Sequence, residues 1–342
     1  MNDQELTSKV RALLQKKVSL SVPIERIEKL FGDASARVYT RIFLTNGQTF
    51  IAMQMPKGNA SEEITNVKQA PAQLPFLNIQ RFLKERKLPV PQIFAYNAED
   101  ALMLLEDLGN TVLAHKVTNV PESTQEEWYF KAIDLLSLFQ QKTKERDHDC
   151  IAFTRSFDAT LLNWEFDHFL EYGLDARGIH LTQEERELFE SETRKITEEI
   201  LQFPTCFTHR DFQSRNLMVR NNELVLIDFQ DALLGPAVYD LVALTRDSYI
   251  SLSKNLLKKL IAYYAQKTKQ PEDAVRKHHQ LMTVQRKLKD AGRFVYIDQV
   301  KKNPHFLSFI PTSLQYVQNA LQELPEYKAL YELLAACLPE WR

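Results

Sequence analysis

The stretch FTHRDFQSRN, residues 207–216, decides how the rest of the chain is interpreted. It combines a histidine, an arginine and an aspartate with Asn216, which lies five positions after Asp211. The stretch is too polar for a core strand, and its pattern between apolar segments is too regular for an arbitrary loop. We therefore take it as a candidate catalytic loop and ask which partners the neighbouring sequence supplies.

Two short apolar runs follow this loop and predict a β-hairpin. Residues 217–227 (LMVRNNELVLI) place an Arg-Asn-Asn turn between them. Such a hairpin brings Asp211 and Asn216 at one end close to Asp228 at the other. The oxygens of Asn216 and Asp228 suit a hard cation such as Mg²⁺, which takes its other ligands from phosphate and water. Asp211 is left to accept a proton from a substrate hydroxyl, an arrangement typical of phosphoryl transfer.

Composition favours a small-molecule substrate over nucleic acid or a membrane. The chain has 342 residues, of which 44% are hydrophobic and 26% are charged, and its formal net charge is -2. A nearly neutral chain produces no overall field that attracts nucleic acid or an anionic membrane. Three scattered cysteines without CxxC spacing predict reduced thiols, and no apolar run has the length of a signal peptide or a membrane span. We therefore expect a cytoplasmic protein.

The first third of the sequence predicts a small mixed domain that ends near Asp107. Two β-rich runs flank Asn46-Gly47, a dipeptide that tolerates the positive φ angles of a tight hairpin turn. Pro89 stops a preceding amphipathic helix, because proline has no backbone N–H to continue it. The predicted elements are a helix at 2–17, a hairpin at 36–55, a helix at 75–87 and strands at 93–97 and 101–109.

The remainder of the chain is predicted to be mainly helical. Apolar residues such as Ile133 and Leu136 recur there at helical spacing. Together the two parts predict an α+β, bilobal fold with a small β-rich lobe at residues 1–107 and a larger, mostly α-helical lobe at 108–342. The predicted helices span residues 122–142, 158–172, 182–202, 237–250, 253–268 and 272–290.

These motifs resemble those of protein-kinase-like phosphotransferases. The stretch at 209–216 resembles their catalytic loop, and IDF at 227–229 resembles their metal-binding segment. Further segments resemble the aminoglycoside phosphotransferase branch and, within it, the bacterial kinases of the anomeric hydroxyl of N-acetylmuramate and N-acetylglucosamine. These segments extend over nearly the whole chain: GDAS at 32–35, LLEDLG at 104–109, DFQDA at 228–232, GP at 235–236, YDL at 239–241, RD at 246–247, QR at 285–286 and LK at 288–289.

The resemblance implies a protein-kinase-like fold, ATP as phosphoryl donor and Mg²⁺ as cofactor. It implies Asp211 as the catalytic base and Asn216 and Asp228 as metal ligands. Asp240 is expected to cap its helix or to brace the catalytic loop, and His209 is expected to brace the same loop. The N-terminal lobe is expected to bind the nucleotide and the C-terminal lobe the substrate. The remaining expected contacts are Ser35, Arg37, Glu106 and Leu108 to the nucleotide, and Glu165, Asp231 and Arg246 to the acceptor.

Two positions depart from the superfamily's pattern. Gln54 stands where many kinases carry the lysine that pairs with the nucleotide phosphates, and an amide cannot supply that charge. Either another cation, Arg37, Arg41 or Lys57, approaches the phosphates, or nucleotide affinity is modest, or the protein is a degenerate kinase. Gln230 replaces the glycine that usually follows Asp-Phe, so we expect a constitutive enzyme, because only glycine frees that segment to flip.

Three functions fit the sequence at this point. The favoured one phosphorylates a sugar, in particular the anomeric hydroxyl of an N-acetylated amino sugar recovered from cell wall. The second has the same chemistry on an aminoglycoside, choline or another amino alcohol, and a cationic acceptor of that kind would need a cluster of acidic side chains. The third is a non-catalytic, nucleotide-binding pseudokinase, which Gln54 favours and the intact catalytic and metal residues disfavour. The acidic residues available for the second are Glu165, Asp167, Asp231 and Asp247.

Overall fold

The chain divides into two compact units, one rich in β-strands and the other mainly helical. The computed structural model describes residues 2–30, 37–55 and 74–342. The β-rich unit takes residues 2–30, 37–55, 89–111 and 218–227, and the helical unit takes 74–88, 112–217 and 228–342. The α+β composition predicted from the sequence is confirmed. The division into lobes at 1–107 and 108–342 stays a prediction.

A five-stranded antiparallel sheet forms the β-rich unit. Its strands are β1 Ile24–Leu30, β2 Val38–Leu44, β3 Thr49–Gln54, β4 Ile93–Asn97 and β5 Leu102–Glu106. Their order is β1-β2-β3-β5-β4. β2 and β3 form the expected hairpin, and Gly47 in its turn has a φ of 83°, the left-handed region that favours glycine. The hairpin and the strands β4 and β5 confirm the prediction, whereas the edge strand β1 was not predicted.

Helix α1, Asp3–Lys17, packs on this sheet. Its N-terminus is capped by Asn2, whose side-chain oxygen accepts a hydrogen bond of 2.9 Å from the N–H of Glu5. The apolar face that the sequence predicted is buried, and each such side chain stabilises the fold by about 1.5–3 kcal/mol. The core that α1 shares with the sheet contains Leu6, Val10, Leu13, Leu14, Ile42, Leu44, Phe50, Ala52, Ala95, Leu102 and Leu104.

A second hairpin follows the catalytic loop. Strands β7, Leu217–Arg220, and β8, Glu223–Leu226, pair across a tight turn. Asn221 and Asn222 in this turn have φ angles of 49° and 65°, as in the hairpin turns that match strand twist. The carbonyl of Thr111 accepts a backbone hydrogen bond of 2.7 Å from β7. The predicted Arg-Asn-Asn turn is confirmed.

The helical unit contains most of the predicted helices close to their expected bounds. Its helices are α2 Pro75–Glu85, α3 Leu113–Val117, α4 Glu122–Lys142, α5 Ala159–His168, α6 Gln183–Ile200, α7 Tyr239–Thr245, α8 Lys254–Thr268, α9 Glu272–Lys301, α10 Ile310–Gln322 and α11 Lys328–Cys337. Two short strands, β6 Thr205–Thr208 and β9 Leu233–Pro236, pair antiparallel beside them. Within the described ranges, no helix combines the length and the hydropathy needed to cross a bilayer.

The largest difference from the prediction is the length of α9. The helix was expected to end at residue 290, but it continues to Lys301. A glycine often ends a helix, and Gly292 lies just beyond the expected end. Here it allows a close approach instead, because an added Cβ would lie 2.8 Å from the backbone oxygen of His168. The glycine therefore serves packing between α9 and the end of α5.

Candidate active site

The catalytic loop begins where β6 ends. Thr208 at the end of β6 pairs with Leu233 at the start of β9, and the hydroxyl of Thr208 donates a hydrogen bond of 2.9 Å to the Leu233 carbonyl. The loop at 209–216 and the segment at 228–232 therefore leave the same end of this small sheet. This pairing is the structural reason why two motifs separated in sequence share one site.

Asp240 braces the backbone of the loop from inside α7. One carboxylate oxygen accepts a hydrogen bond of 2.7 Å from the N–H of His209, and the other accepts one of 3.0 Å from the N–H of Arg210. Arg210 has a φ of 73°, an unusual conformation for a side-chain-bearing residue that these two bonds hold in place. Burial raises the pKa of Asp240 to about 7, although the two N–H donors and Arg286 act against it. The expectation that Asp240 braces the loop is confirmed.

Two more side chains hold the loop, and sequence reasoning predicted this bracing role for neither of them. Asp247 accepts hydrogen bonds from both the N–H and the hydroxyl of Ser214. The fully buried Arg286, on α9, donates a bond of 2.9 Å to the carbonyl of Arg210, and its Nη2 lies 3.6 Å from Oδ1 of Asp211. Asp247 had been considered only as an acidic side chain available to a cationic acceptor and as part of a matching segment, and Arg286 only as part of a matching segment. Their contacts with the loop reach across long stretches of sequence.

Asp211 remains the accessible carboxylate of this loop. Its side chain is 38% exposed, whereas the neighbouring His209, Arg210 and Phe212 are buried. The ring of His209 packs near Phe139 and Phe212, with centroids 6.2 and 5.9 Å away. That environment suits the bracing role expected of His209. A carboxylate that is exposed on a rigid loop is placed as a general base needs to be.

Asn216 and Asp228 present the oxygens expected of metal ligands. Nδ2 of Asn216 donates a hydrogen bond of 3.0 Å to the carbonyl of Asp211, which turns the amide oxygen away from that carbonyl. Asp228 has a φ of 63°, and its Oδ1 accepts a bond of 3.1 Å from Gln230. The described residues contain no cluster of three or more His, Cys, Asp or Glu that could hold a metal by themselves. One amide and one carboxylate fit Mg²⁺, which binds few protein groups and completes its shell with phosphate and water.

The predicted nucleotide residues Glu106 and Leu108 lie at the end of β5. The carboxylate of Glu106 pairs with Arg220 and accepts a hydrogen bond of 3.0 Å from the N–H of Gln92. These two contacts hold Glu106 in place at the end of β5. Leu108 lies beyond the strand, and no hydrogen bond joins its backbone to another residue in the part of the chain that the structure describes. Its N–H and carbonyl can therefore serve a ligand.

Of the cations that could replace the missing lysine, Arg41 is already engaged. Its Nε lies 2.8 Å from Oδ2 of Asp107, and its Nη2 donates bonds of 3.1 Å to Oδ1 of Asp107 and 3.0 Å to the carbonyl of Gly109. Arg41 is therefore not available for a phosphate. Arg37 lies one residue before β2 and is partly exposed. The predicted nucleotide contact Ser35 and the alternative cation Lys57 lie outside the described residues.

Glu165, one of the expected acceptor contacts, is fully buried in α5. Its carboxylate lies 3.8 Å from Nη2 of Arg210 and accepts a hydrogen bond from Gln285. The structure thus gives Glu165 a position behind the catalytic loop, where it neutralises the buried guanidinium of Arg210. Its contact with an acceptor stays a prediction.

The other two expected acceptor contacts, Arg246 and Asp231, differ in exposure. Arg246, at the end of α7, is 8% exposed and lies 5.0 Å from the ring centroid of Tyr316. Burial lowers the pKa of this guanidinium. Asp231 is partly exposed beside the metal segment and accepts a bond of 2.8 Å from Gln230. Their roles stay predictions, and the site of Asp231 is the more accessible of the two.

An exposed carboxylate on a braced loop, an amide five residues later and a second carboxylate after a hairpin define a kinase-like phosphotransferase. Residues 26–278 match the Phosphotransferase enzyme family, abbreviated APH, and the chain belongs to this family. The prediction of an ATP-dependent phosphotransferase is confirmed.

Two similar proteins carry the name N-acetylmuramate/N-acetylglucosamine kinase. One, from Neisseria meningitidis serogroup B, is 28% identical over 311 residues, covering 88% of this chain and 87% of that protein. The other, from Pseudomonas putida, is 27% identical over 322 residues, covering 92% and 89%. The ADP-bound crystal structure of aminoglycoside phosphotransferase APH(2'')-Ib has a TM-score of 0.60 at 18% identity, covering 92% of this chain and 98% of that one. The predicted bilobal, protein-kinase-like fold is confirmed.

Proposed function

We propose that the protein transfers the γ-phosphoryl group of ATP to the anomeric hydroxyl of N-acetylmuramate or N-acetylglucosamine. The observation that carries the proposal is Asp211, a partly exposed carboxylate on a loop in which His209, Arg210 and Phe212 are buried. Asp211 accepts the proton of the acceptor hydroxyl as the oxygen attacks phosphorus. The product is a sugar 1-phosphate.

The remaining residues position the nucleotide and its cation. Asn216 and Asp228 would hold Mg²⁺, which when bound neutralises charge on the phosphates of ATP. The backbone of Leu108 and its neighbour Glu106 would hydrogen-bond the adenine. Arg37 and Ser35 would contact the phosphates, and this assignment does not require the lysine that Gln54 replaces.

A sugar is favoured over a cationic acceptor because two of the available acidic side chains are already occupied. Glu165 is buried against Arg210, and Asp247 is buried and accepts hydrogen bonds from Ser214. Neither carboxylate is left to neutralise an aminoglycoside or choline. The names of the two similar kinases support the same choice. ATP and recovered cell-wall sugars meet in the cytoplasm, where we place the reaction.

Coupled ADP release tests this proposal. Purified protein with Mg·ATP is offered N-acetylmuramate, N-acetylglucosamine, glucose, kanamycin and choline, and turnover is expected with the N-acetylated sugars. Phosphorus NMR of the product is expected to find the phosphate on the anomeric oxygen. ATP binding without turnover of any acceptor would support the non-catalytic module, and turnover of kanamycin or choline alone would overturn the sugar assignment.

Asp211→Ala tests the catalytic base in the same assay. It should lower kcat about 10²- to 10⁴-fold, the usual contribution of a general base, while ATP binding survives. Asp175→Ala is the matched control, because its carboxylate is 37% exposed in the same unit and pairs with Arg186 away from the loop. Equal activities of the two variants would remove Asp211 from the mechanism.

A further inference from the structure

The two terminal nitrogens of the buried Arg286 guanidinium on α9 differ in their hydrogen bonds. The side chain is 1% exposed, and its Nη1 donates a hydrogen bond of 2.9 Å to the carbonyl of Arg210. Its Nη2 is buried as well, yet it donates no hydrogen bond to any residue among 2–30, 37–55 and 74–342. Burying a charged donor without an acceptor is costly, and such a group in a folded protein calls for an explanation.

The carboxylates of Asp211, Asp240 and Asp290 lie close enough to affect the charge of Arg286. Burial acts to lower the pKa of this guanidinium, but a neighbouring phenol and these carboxylates raise it above its ordinary value, so the group stays a cation. Asp240 already accepts two backbone hydrogen bonds from the catalytic loop, and Asp290 accepts one of 2.6 Å from Lys287. Oδ1 of Asp211 lies 3.6 Å from Nη2, and Asp211 is therefore the carboxylate best placed to pair with it.

The guanidinium of Arg286 is held both on its face and at one end. Its carbon lies 4.7 Å from the ring centroid of Tyr239, and this fully buried ring packs against Phe157 at 4.7 Å. With Nη1 bonded to the carbonyl of Arg210, the planar group cannot turn without losing that bond. The side chain of Asp211, in contrast, is 38% exposed. Rotation of this carboxylate can therefore bring Oδ1 to within about 2.9 Å of Nη2, the length of an ordinary hydrogen bond.

We propose that Arg286 positions the catalytic base: its Nη2 donates a hydrogen bond to Oδ1 of Asp211 in the reacting complex, so that Oδ2 accepts the proton of the acceptor hydroxyl. The proton moves to Oδ2 as the hydroxyl oxygen bonds to the γ-phosphorus and ADP leaves. The inference rests on the base role of Asp211 in the proposed function. Hydrogen bonds of a catalytic group are often long without substrate and shorten in the reacting complex. A carboxylate held through one oxygen presents the other in a fixed orientation, so Arg286 contributes to the rate through Asp211 without touching the acceptor.

Arg286→Lys and Arg286→Met test this role in the coupled assay. Arg286→Lys keeps the buried charge but not the planar group that reaches two acceptors. Its kcat should fall about 10- to 100-fold, the effect of losing a hydrogen bond to a charged group. The KM values for ATP and for the sugar should stay near those of the wild-type protein, because Arg286 contacts neither substrate. Arg286→Met should lower kcat at least as much, and Arg286→Lys carries the test if the methionine variant does not fold.

A second background separates the positioning of Asp211 from general support of the loop. In Asp211→Asn the base is absent, so adding Arg286→Lys should hardly change the residual kcat. Residues that act as a unit give losses that do not add, whereas independent effects on the rate do add. If Arg286→Lys lowers kcat by the same factor in both backgrounds, Arg286 acts through the fold and the inference is overturned.

Arg177→Lys is the matched control. Like Arg286, Arg177 donates a hydrogen bond to a backbone carbonyl, that of Gly173 at 3.2 Å, and pairs with a carboxylate, that of Glu340. Neither partner belongs to the catalytic loop at 209–216 or to the segment at 228–232. Its kcat should therefore equal that of the wild-type protein, and urea unfolding of both lysine variants measures how much stability each has lost.

The remaining outcomes have distinct meanings. An unchanged kcat for Arg286→Lys would overturn the inference. A higher KM for ATP or for the sugar at an unchanged kcat would overturn it as well, and would assign Arg286 to substrate binding. Wild-type protein that turns over neither sugar, or Asp211→Asn that is as active as the wild-type protein, would refute the proposed function itself.

Discussion

Arg41→Met is expected to destabilise the β-rich unit strongly, because it strands a buried carboxylate. Arg41 and Asp107 have side chains only 7% and 8% exposed, and two guanidinium nitrogens face the two carboxylate oxygens. Removing one partner of a buried ion pair costs about 3–5 kcal/mol, since the remaining charge is left without compensation. The Gly109 carbonyl also loses its side-chain donor. We therefore expect the free energy of unfolding to fall by about 3–5 kcal/mol.

An exposed pair in the same sheet provides the control. Arg26 lies 3.0 Å from Glu28, but these side chains are 54% and 49% exposed. Because solvent screens such a pair, Arg26→Met should lower the free energy of unfolding by no more than about 1 kcal/mol. The two substitutions remove the same chemical group from strands β2 and β1, so the difference between them measures burial.

Urea unfolding of the single variants and of the double variant Arg41→Met, Asp107→Leu gives the measurement. The double variant should recover much of the lost stability, because no charge is then left buried. Since Asp107 lies between Glu106 and Leu108, the single Arg41→Met variant should also raise the KM for ATP. If Arg41→Met costs no more than Arg26→Met, the buried pair does not stabilise the unit as reasoned here.

Two further predictions concern the loop and the cation. Burial raises the pKa of Asp240 to about 7, so between its ordinary value and about 7 the folded protein binds more protons than the unfolded chain. Stability from this group is therefore lost as the pH rises towards about 7, and Asp240→Asn should remove that part of the slope in urea unfolding from about pH 4 to about pH 8. If the free energy of unfolding changes with pH in the same way for the wild-type protein and for Asp240→Asn, this prediction is wrong. Asn216→Ala should raise the Mg²⁺ concentration for half-maximal turnover at least about 10-fold, because losing even an outer-shell partner of a metal ligand costs about 10- to 100-fold in affinity. An unchanged Mg²⁺ requirement would exclude Asn216 as a ligand.

Local sequence signals predicted the elements whose burial follows a simple period. Helix α1 and the hairpin of β2 and β3 could be located because helical spacing and Asn46-Gly47 report directly on the backbone. Strand β1 was missed for the corresponding reason. Its sequence IERIEKL places an apolar residue at every third position, which is not the alternation of a half-buried strand. Pairing with β2 decides its conformation, and that contact is not encoded within seven residues.

In the site too, local sequence patterns could not predict contacts between residues that lie far apart in the sequence. The positions of Asp211, Asn216 and Asp228 follow from their spacing around a hairpin, which is local information. Asp247 contacts Ser214, 33 positions away, and Arg286 contacts Arg210, 76 positions away. No sequence pattern near the loop predicts these contacts. The contact of Glu165 with Arg210 could not be predicted either, because no local pattern indicates that these two side chains are buried together.

The contact between Arg286 and the loop can form only late in the synthesis of the chain. The loop leaves the ribosome with Asp211 already present, but the side chain that bonds the carbonyl of Arg210 is added 76 positions later. At about 5–20 residues per second this interval lasts about 4–15 s. A nascent chain that ends before α9 thus carries Asp211 without the contact that Arg286 makes to its neighbour. The loop gains this support only when most of the C-terminal half has been translated.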